Sequence, residues 1–267
     1  MLVEAAAEAL PVPSTLEWVV LPLAAYLFGS IPSAHLIARS HGIDLGKVGS
    51  GNYGATNLGR TLGRRLGITC FVLDALKGAL PVLGAGWLLG SLGANSGASS
   101  TATAWCWLAT AFAAIFGHTL SPWIRFKGGK GVATGFGALA AMWPVLTLPA
   151  AAAIVLWLVV VSLTRLVALA SMIAAASVPC SLAVAALAAN GTDGLRVSTP
   201  YLIVSGAIAL FVIWKHRSNI ARMRAGAEDR VGNARTTEKA VPEHAASASS
   251  TDSSAPTTNR ADDTPKP

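Results

Sequence analysis

The sequence predicts an all-α fold: a polytopic integral membrane protein of about seven transmembrane helices, with its N-terminus outside and its C-terminus cytoplasmic. Composition is the first reason. AVILMFWYC make up 53% of the 267 residues, and replacing the three Tyr by the 26 Gly in that count raises the share to about 62%. Globular chains run at about 45–50% on this measure, with about 25% charged residues. Here DEKR account for only 12%. Disordered, collagen-like and disulfide-built chains are excluded, and a single soluble core is disfavoured. The second reason is a series of apolar stretches close to the roughly 20 residues that cross a bilayer. The third is that the cations fall in alternate loops.

The first span runs from Trp18 to Ala38 and is closed by Arg39. A second covers about Leu66 to Leu92, and a third Ala102 to Ile124. Val132 to Leu163 is an apolar run of 32 residues, too long for one crossing. Trp143-Pro144 near its middle is therefore read as a turn between two short or tilted spans. Leu166 to Ala189 and Tyr201 to Trp214 supply the last two. Five spans is the alternative, if the short segments are re-entrant. Residues 1–16, an extracytoplasmic segment, hold Glu4 and Glu8 but no Lys or Arg, unlike a secretory signal.

Orientation follows from the cations. The loop after the first span holds Arg39, Lys47, Arg60, Arg64 and Arg65, and the loop after the third holds Arg125, Lys127 and Lys130. Arg165 lies in the fifth-to-sixth turn, and Lys215, Arg217, Arg222 and Arg224 follow the seventh span. With seven spans all of these share one side, which the positive-inside rule makes cytoplasmic. Residues 1–230 carry 16 Lys/Arg against 8 Asp/Glu and residues 231–267 carry 4 against 5, so the net +7 divides into +8 and −1. The 231–267 segment, rich in Ala, Ser, Thr, Pro and Asp, reads as a disordered cytoplasmic tail. A body both basic and apolar suits anionic substrates and membrane lipid, not nucleic acid. Cys70, Cys106 and Cys180 sit in apolar stretches without metal-ligand spacing and read as packing residues.

The basic loops have the chemistry of anion sites. Gly49, Gly51 and Gly54 fit G-x-G-x-x-G, but a membrane helix precedes them where a dinucleotide fold needs a buried strand. Such glycines still let successive N–H groups turn towards an anion. Ser50, Asn52, Thr56 and Asn57 add neutral polar groups, and Arg60 a planar charged fork. In the second loop Lys127 and Lys130 flank Gly128 and Gly129 at an expected helix start, where free N–H groups favour negative charge. In the third, His216 and Asn219 share a helical face. Three such elements at one surface favour a site for phosphorylated substrates. Asp74 and Lys77, also i,i+3, are read as a structural intramembrane pair, and His118 as a packing histidine.

These motifs, in order, resemble the bacterial acyl-phosphate:glycerol-3-phosphate acyltransferase family (PlsY). The resemblance rests on Gly29-Ser-Ile-Pro32, Val48-Gly-Ser-Gly-Asn-Tyr-Gly-Ala-Thr-Asn57, Asp74-Ala-Leu-Lys-Gly78, Gly117-His118, Phe126-Lys-Gly-Gly-Lys-Gly-Val-Ala-Thr134 and His216-Arg-Ser-Asn219. It covers roughly residues 18–230 and makes residues 17–230 a membrane-embedded acyltransferase domain. It implies transfer of a fatty acyl group from acyl phosphate to the 1-hydroxyl of glycerol 3-phosphate, giving lysophosphatidic acid, and functional coupling to the enzyme that makes acyl phosphate. It also implies that Ser50, Gly51, Asn52, Gly54, Ala55, Thr56 and Asn57 form the acyl-phosphate pocket, with Lys127, Gly128 and Gly129 also binding substrate. By the same resemblance Arg60, Lys130, Ser171, His216 and Asn219 hold glycerol 3-phosphate. Arg60, Lys130 and His216 would act in catalysis. The segment Arg165-Leu-Val-Ala-Leu-Ala-Ser171 departs from the family's Arg-Tyr-Val-Ser-Leu-Ala-Ser, which leaves Ser171 less firmly assigned than Lys130.

The residues fit that chemistry. Acyl phosphate is a mixed anhydride with a good leaving group, and the loops offer no triad-like nucleophile set. Bringing two phosphates together requires cations and backbone donors. The acceptor's proton would pass to the donor's own phosphate, with His216 as the protein alternative. The repeated Asp signature of a CDP-alcohol phosphotransferase is absent, so no metal and no cofactor are expected. A transporter of phosphorylated solutes is the rival reading, but it should place its anion groups near the bilayer midplane in broken helices or repeats. Here they cluster at one surface, with no repeat.

Overall fold

The computed structural model describes residues 12–96 and 98–232. Ten α-helices follow one another within them: α1 (Thr15–Gly29), α2 (Ser33–Ser40), α3 (Ala55–Leu62), α4 (Arg64–Leu88), α5 (Thr101–Thr119), α6 (Val132–Ala140), α7 (Thr147–Thr164), α8 (Val167–Val197), α9 (Thr199–Lys215) and α10 (Arg217–Arg224). A 3-10 turn, Pro122–Ile124, follows α5. Most of the expected N-terminal segment, and the expected tail from residue 233 onwards, lie outside the described residues.

The all-helical membrane fold is as expected, with five to six candidate spans among the described residues beside the seven read from the sequence. Among the described residues five stretches are long and apolar enough to cross a bilayer: Thr15–Ser40, Arg64–Leu88, Thr101–Ile124, Thr147–Thr164 and Val167–Val197. The pair α9 and α10, bent by 53°, makes a sixth if counted as one span. The remaining segment is α6, which is short but whose C-terminal turn meets the α4–α5 loop, where Gly93 N donates to Trp143 O at 3.1 Å. The turn expected at Trp143-Pro144 is present between α6 and α7, but only nine residues of helix precede it. At 1.5 Å per residue α6 is about 14 Å long, half a bilayer core of roughly 30 Å.

The first expected span is also broken. α1 ends at Gly29 and α2 begins at Ser33, because Pro32 lacks an N–H and its ring steers Ile31 away from the helical region. Side chains take the carbonyls freed by the break. Lys77 Nζ donates to Ile31 O at 2.7 Å, and Ser121 Oγ donates to Ser30 O at 2.6 Å. Within apolar surroundings such carbonyls need an internal donor. In α8 the regular backbone is interrupted at Asn190 and Gly191, just beyond the expected end at Ala189.

Apolar burial holds the bundle's centre. Trp107 is fully buried and its Nε1 donates to Val82 O at 2.8 Å, joining α5 to α4. Cys70 and Cys106 pack inside the protein, while Cys180 is exposed on α8. The helices α4 and α6 approach so closely that glycine is needed on both. A Cβ on Gly78 would fall on Thr134 O, and one on Gly137 on Ala75 O. Small residues permit this kind of backbone approach between membrane helices. Here the approach fixes the N-terminal end of α6.

Candidate active site

A cavity of about 160 Å³ opens among α3, α4 and α6–α10. The N-termini of α3 and α6 are among those that reach it. α3 starts after Gly54 and α6 after Gly131, and neither has a side-chain cap. Gly54, Ala55 and Thr56 line the cavity from the first helix, and Gly131, Val132 and Ala133 from the second. Uncapped N-termini present free N–H groups and the positive end of the helix dipole. Ser50 and Asn52 add polar side chains on the same wall.

The loop before α3 is braced by Asn57. Its Oδ1 accepts from Ser50 N at 2.9 Å, and its Nδ2 donates to Val48 O at 3.1 Å and Leu45 O at 3.3 Å. Gly49 must be glycine, with φ at +56° and an added Cβ falling on Asn57 Oδ1. The amide of Asn57 lines the cavity yet is committed to the loop, so its part is to hold the pocket's shape.

Arg60, Lys130, His216 and Asn219 converge on the cavity from α3, the loop before α6, and the α9–α10 junction. The expected shared face of His216 and Asn219 is realised across a bend, since His216 caps α9 and Asn219 lies in α10. Lys130 donates to Asn219 Oδ1. Asn219 Nδ2 in turn donates to Glu228 Oε1 at 2.7 Å, and Arg222 Nε donates to Glu228 Oε2 at 2.8 Å. Burial, together with the nearby Arg222 and Arg60, lowers the Lys130 pKa to about 8. His216 Nδ1 lies 2.7 Å from Val212 O. A carbonyl only accepts, so Nδ1 carries the proton and neutral His216 has its lone pair on Nε2. Ser171 lines the cavity too, but its hydroxyl donates to Val167 O at 2.8 Å and accepts from Trp157 Nε1 at 3.2 Å.

Four expected site residues stand apart. Gly51, Lys127, Gly128 and Gly129 do not line the cavity. Lys127 is exposed. Gly128 and Gly129 pack on α5, where an added Cβ would fall on His118 O or the His118 ring. The two glycines let the loop lie against α5 and so bring Lys130 inward. Gly51, at φ +67°, shapes the turn with its N–H bonded to Val48 O at 3.0 Å.

Glu228, Asp229 and Trp157 had not been singled out from the sequence. The signal for the first two is an adjacent acidic pair placed just after the basic α10. Asp229 Oδ2 accepts from Arg60 Nη1 at 3.3 Å. Asp74 and His118 also reach the cavity wall. Asp74 pairs with Lys77 at 2.8 Å and lies 3.7 Å from His118 Nδ1.

The other end of the cavity is apolar. Phe71, Phe136, Ile154, Ala174, Val178 and Ile208 are among its walls, contributed by α4 and α6–α9. A family model described as glycerol-3-phosphate acyltransferase matches residues 19–226. The chain belongs to that family. Glycerol-3-phosphate acyltransferases of Desulforamulus reducens and Geobacter sulfurreducens are 40% and 41% identical to it. These matches cover 82% and 80% of this chain and 97% and 98% of the relatives. Among solved structures, the glycerol 3-phosphate form of PlsY, an integral membrane glycerol 3-phosphate acyltransferase, superposes with a TM-score of 0.69 at 36% identity. That match covers 80% of this chain and 96% of that one. The lysophosphatidic acid form gives 0.66 at 34% identity, over 82% and 97%. This glycerol-3-phosphate acyltransferase is thus a multi-pass integral membrane enzyme.

Proposed function

We propose that this glycerol-3-phosphate acyltransferase takes its acyl group from acyl phosphate and delivers it to the 1-hydroxyl of glycerol 3-phosphate. The products are lysophosphatidic acid and phosphate, released at the cytoplasmic face of the bacterial inner membrane. The observation that carries the reading is the two-ended cavity, with the uncapped N-termini of α3 and α6, Arg60 and Lys130 at one end and apolar walls at the other. The relatives' glycerol 3-phosphate and lysophosphatidic acid forms support the choice of acceptor and product. With the seven crossings read from the sequence, the positive-inside rule supports the cytoplasmic placement.

In this reading the α3 N-terminus, with Ser50, Asn52 and Thr56, receives the phosphate of the acyl donor. Arg60, Lys130 and Asn219 hold the phosphate of glycerol 3-phosphate, with Ser171 and His216 beside them. Lys130 lies between the two anions and offsets their repulsion, which would otherwise resist their approach. The acceptor oxygen attacks the acyl carbonyl carbon, a C–O ester bond forms, and the C–O bond to phosphate breaks with its electron pair leaving on phosphate. The hydroxyl proton passes to a phosphate oxygen of the donor, or to Nε2 of His216, the nitrogen free to take it. Holding both reactants in one pocket supplies much of the acceleration.

The test uses purified full-length protein in detergent, acyl phosphate and labelled glycerol 3-phosphate. Labelled lysophosphatidic acid is the expected product. Product formed from acyl-CoA or acyl carrier protein but not from acyl phosphate would refute the donor. Lys130→Ala should abolish turnover while leaving membrane insertion intact; full activity in that variant would refute the site.

A further inference from the structure

The segment that follows α10 lies on the anion site. Glu228 is buried at the cavity and held by Asn219 and Arg222. Asp229 is engaged differently. Its Oδ2 accepts from Arg60 Nη1 at 3.3 Å, and its backbone carbonyl accepts from Arg60 Nη2 at 3.0 Å. Two residues on, Val231 N donates to Arg165 O at 2.9 Å and tethers the segment to the α7–α8 turn. Residues 225–232 thus run as a strap from the end of α10 to that turn, with an acidic side chain laid on Arg60.

Both terminal nitrogens of Arg60 are bonded to Asp229, and these are the donors that a bidentate phosphate contact uses. We propose that Asp229 is an internal competitor which a substrate phosphate must displace from Arg60, so that Asp229 sets the KM for glycerol 3-phosphate. The inference rests on the reading of Arg60 as a phosphate ligand. A resident carboxylate has a physical reason to be there. Arg60, Arg222 and Lys215 all act on Lys130 through their charge, and without a bound anion their mutual repulsion is offset only by nearby acids. The pair is also exchangeable. The Asp229 side chain is 48% exposed against 19% for Arg60, and a partly exposed single carboxylate holds its partner weakly. A phosphate dianion brings more charge and more acceptor oxygens to the same fork. Asp229 touches neither substrate in this scheme; it acts through Arg60.

Steady-state kinetics on the full-length protein test it. Asp229→Asn should lower the KM for glycerol 3-phosphate by about two- to fivefold, the range a partly exposed ion pair spans, with a smaller change in kcat. Asp229→Glu, which restores the charge, should return the KM towards that of the unmodified enzyme. Val231→Pro, which removes the N–H tethering the strap, should lower the KM in the same direction, and it carries the prediction if Asp229→Asn does not accumulate. An unchanged KM in Asp229→Asn overturns the proposal. So does a raised KM, which would make Asp229 an aid to Arg60 orientation, and so does an Asp229→Glu enzyme with the KM of Asp229→Asn. An unmodified enzyme inactive with acyl phosphate and glycerol 3-phosphate removes the underlying reading as well. An active one whose KM ignores these variants removes the displacement alone.

Discussion

Lys130 and Asn219, 89 residues apart in the chain, are joined by a hydrogen bond from the ammonium to the amide oxygen. The other end of that amide donates to Glu228, so Asn219 is fixed in the orientation that presents Oδ1 to the lysine. This aims Lys130 into the cavity without neutralising it. Burial and the neighbouring Arg222 bring its pKa down to about 8.

A pH dependence follows. Only the ammonium form attracts phosphate, and in the free enzyme it is lost as pH rises through about 8. The kcat/KM for glycerol 3-phosphate should therefore fall on the alkaline side with a midpoint near that value. Bound dianions favour the charged lysine, so kcat at saturating substrate should fall later. A kcat/KM profile that stays level well beyond this midpoint would contradict the role given to Lys130.

The intramembrane pair makes a prediction about stability. Lys77 and Asp74 have side chains only 6% and 3% exposed, 2.8 Å apart, and Lys77 also holds Ile31 O at the α1–α2 break. Lys77→Met leaves a buried carboxylate without its cation and removes the side-chain donor to Ile31 O, which keeps only Ser33 N at 3.1 Å. Removing one partner of such a pair costs about 3–5 kcal/mol. The expected result is a large drop in thermal stability in detergent, partly recovered when Asp74→Asn is added. A single variant as stable as the unmodified protein would show that the pair does not hold this junction.

The helical membrane fold was legible because hydropathy reports directly on a bilayer. Its breaks were harder to read. Pro32 splits the first span, yet Pro22 sits inside α1, so proline alone does not tell a reader which helix will break. The length of α6 was not legible, because apolarity shows that a segment is buried, not how far its helix runs. The loops that line the cavity stood out through their Gly, Lys and Arg content, and most of the polar residues expected at the site do meet there. What spacing could not divide was contact from support. Gly128 and Gly129 face α5, and the amide of Asn57 is used within its own loop. Glu228 and Asp229 join the site only because the chain doubles back after α10, a long-range fact with no local periodicity.

If the acyl chain occupies the apolar end of the cavity, as proposed, that end sets a limit on chain length. On α8 its lining residues are Val167, Ala168, Ser171, Ala174, Ala175 and Val178, spaced by three and four as one helical face requires. From Ser171, beside the polar end, to Val178 is seven residues, about 10 Å along the helix. Ser205 and Ile208 from α9 line the cavity along with Val178. An acyl chain arriving from the bilayer gains little by exchanging one apolar setting for another, so selection here is steric. Val178→Trp should shorten the usable chain. Donors too long for the remaining space should lose about 1–3 kcal/mol to overpacking, or roughly 5- to 150-fold in kcat/KM. Shorter acyl phosphates should keep their rates, and the KM for glycerol 3-phosphate should not move, because Arg60 and Lys130 lie at the opposite end. The measurement is kcat/KM across a series of acyl phosphates of increasing length. A profile that Val178→Trp leaves unchanged would place the acyl chain elsewhere.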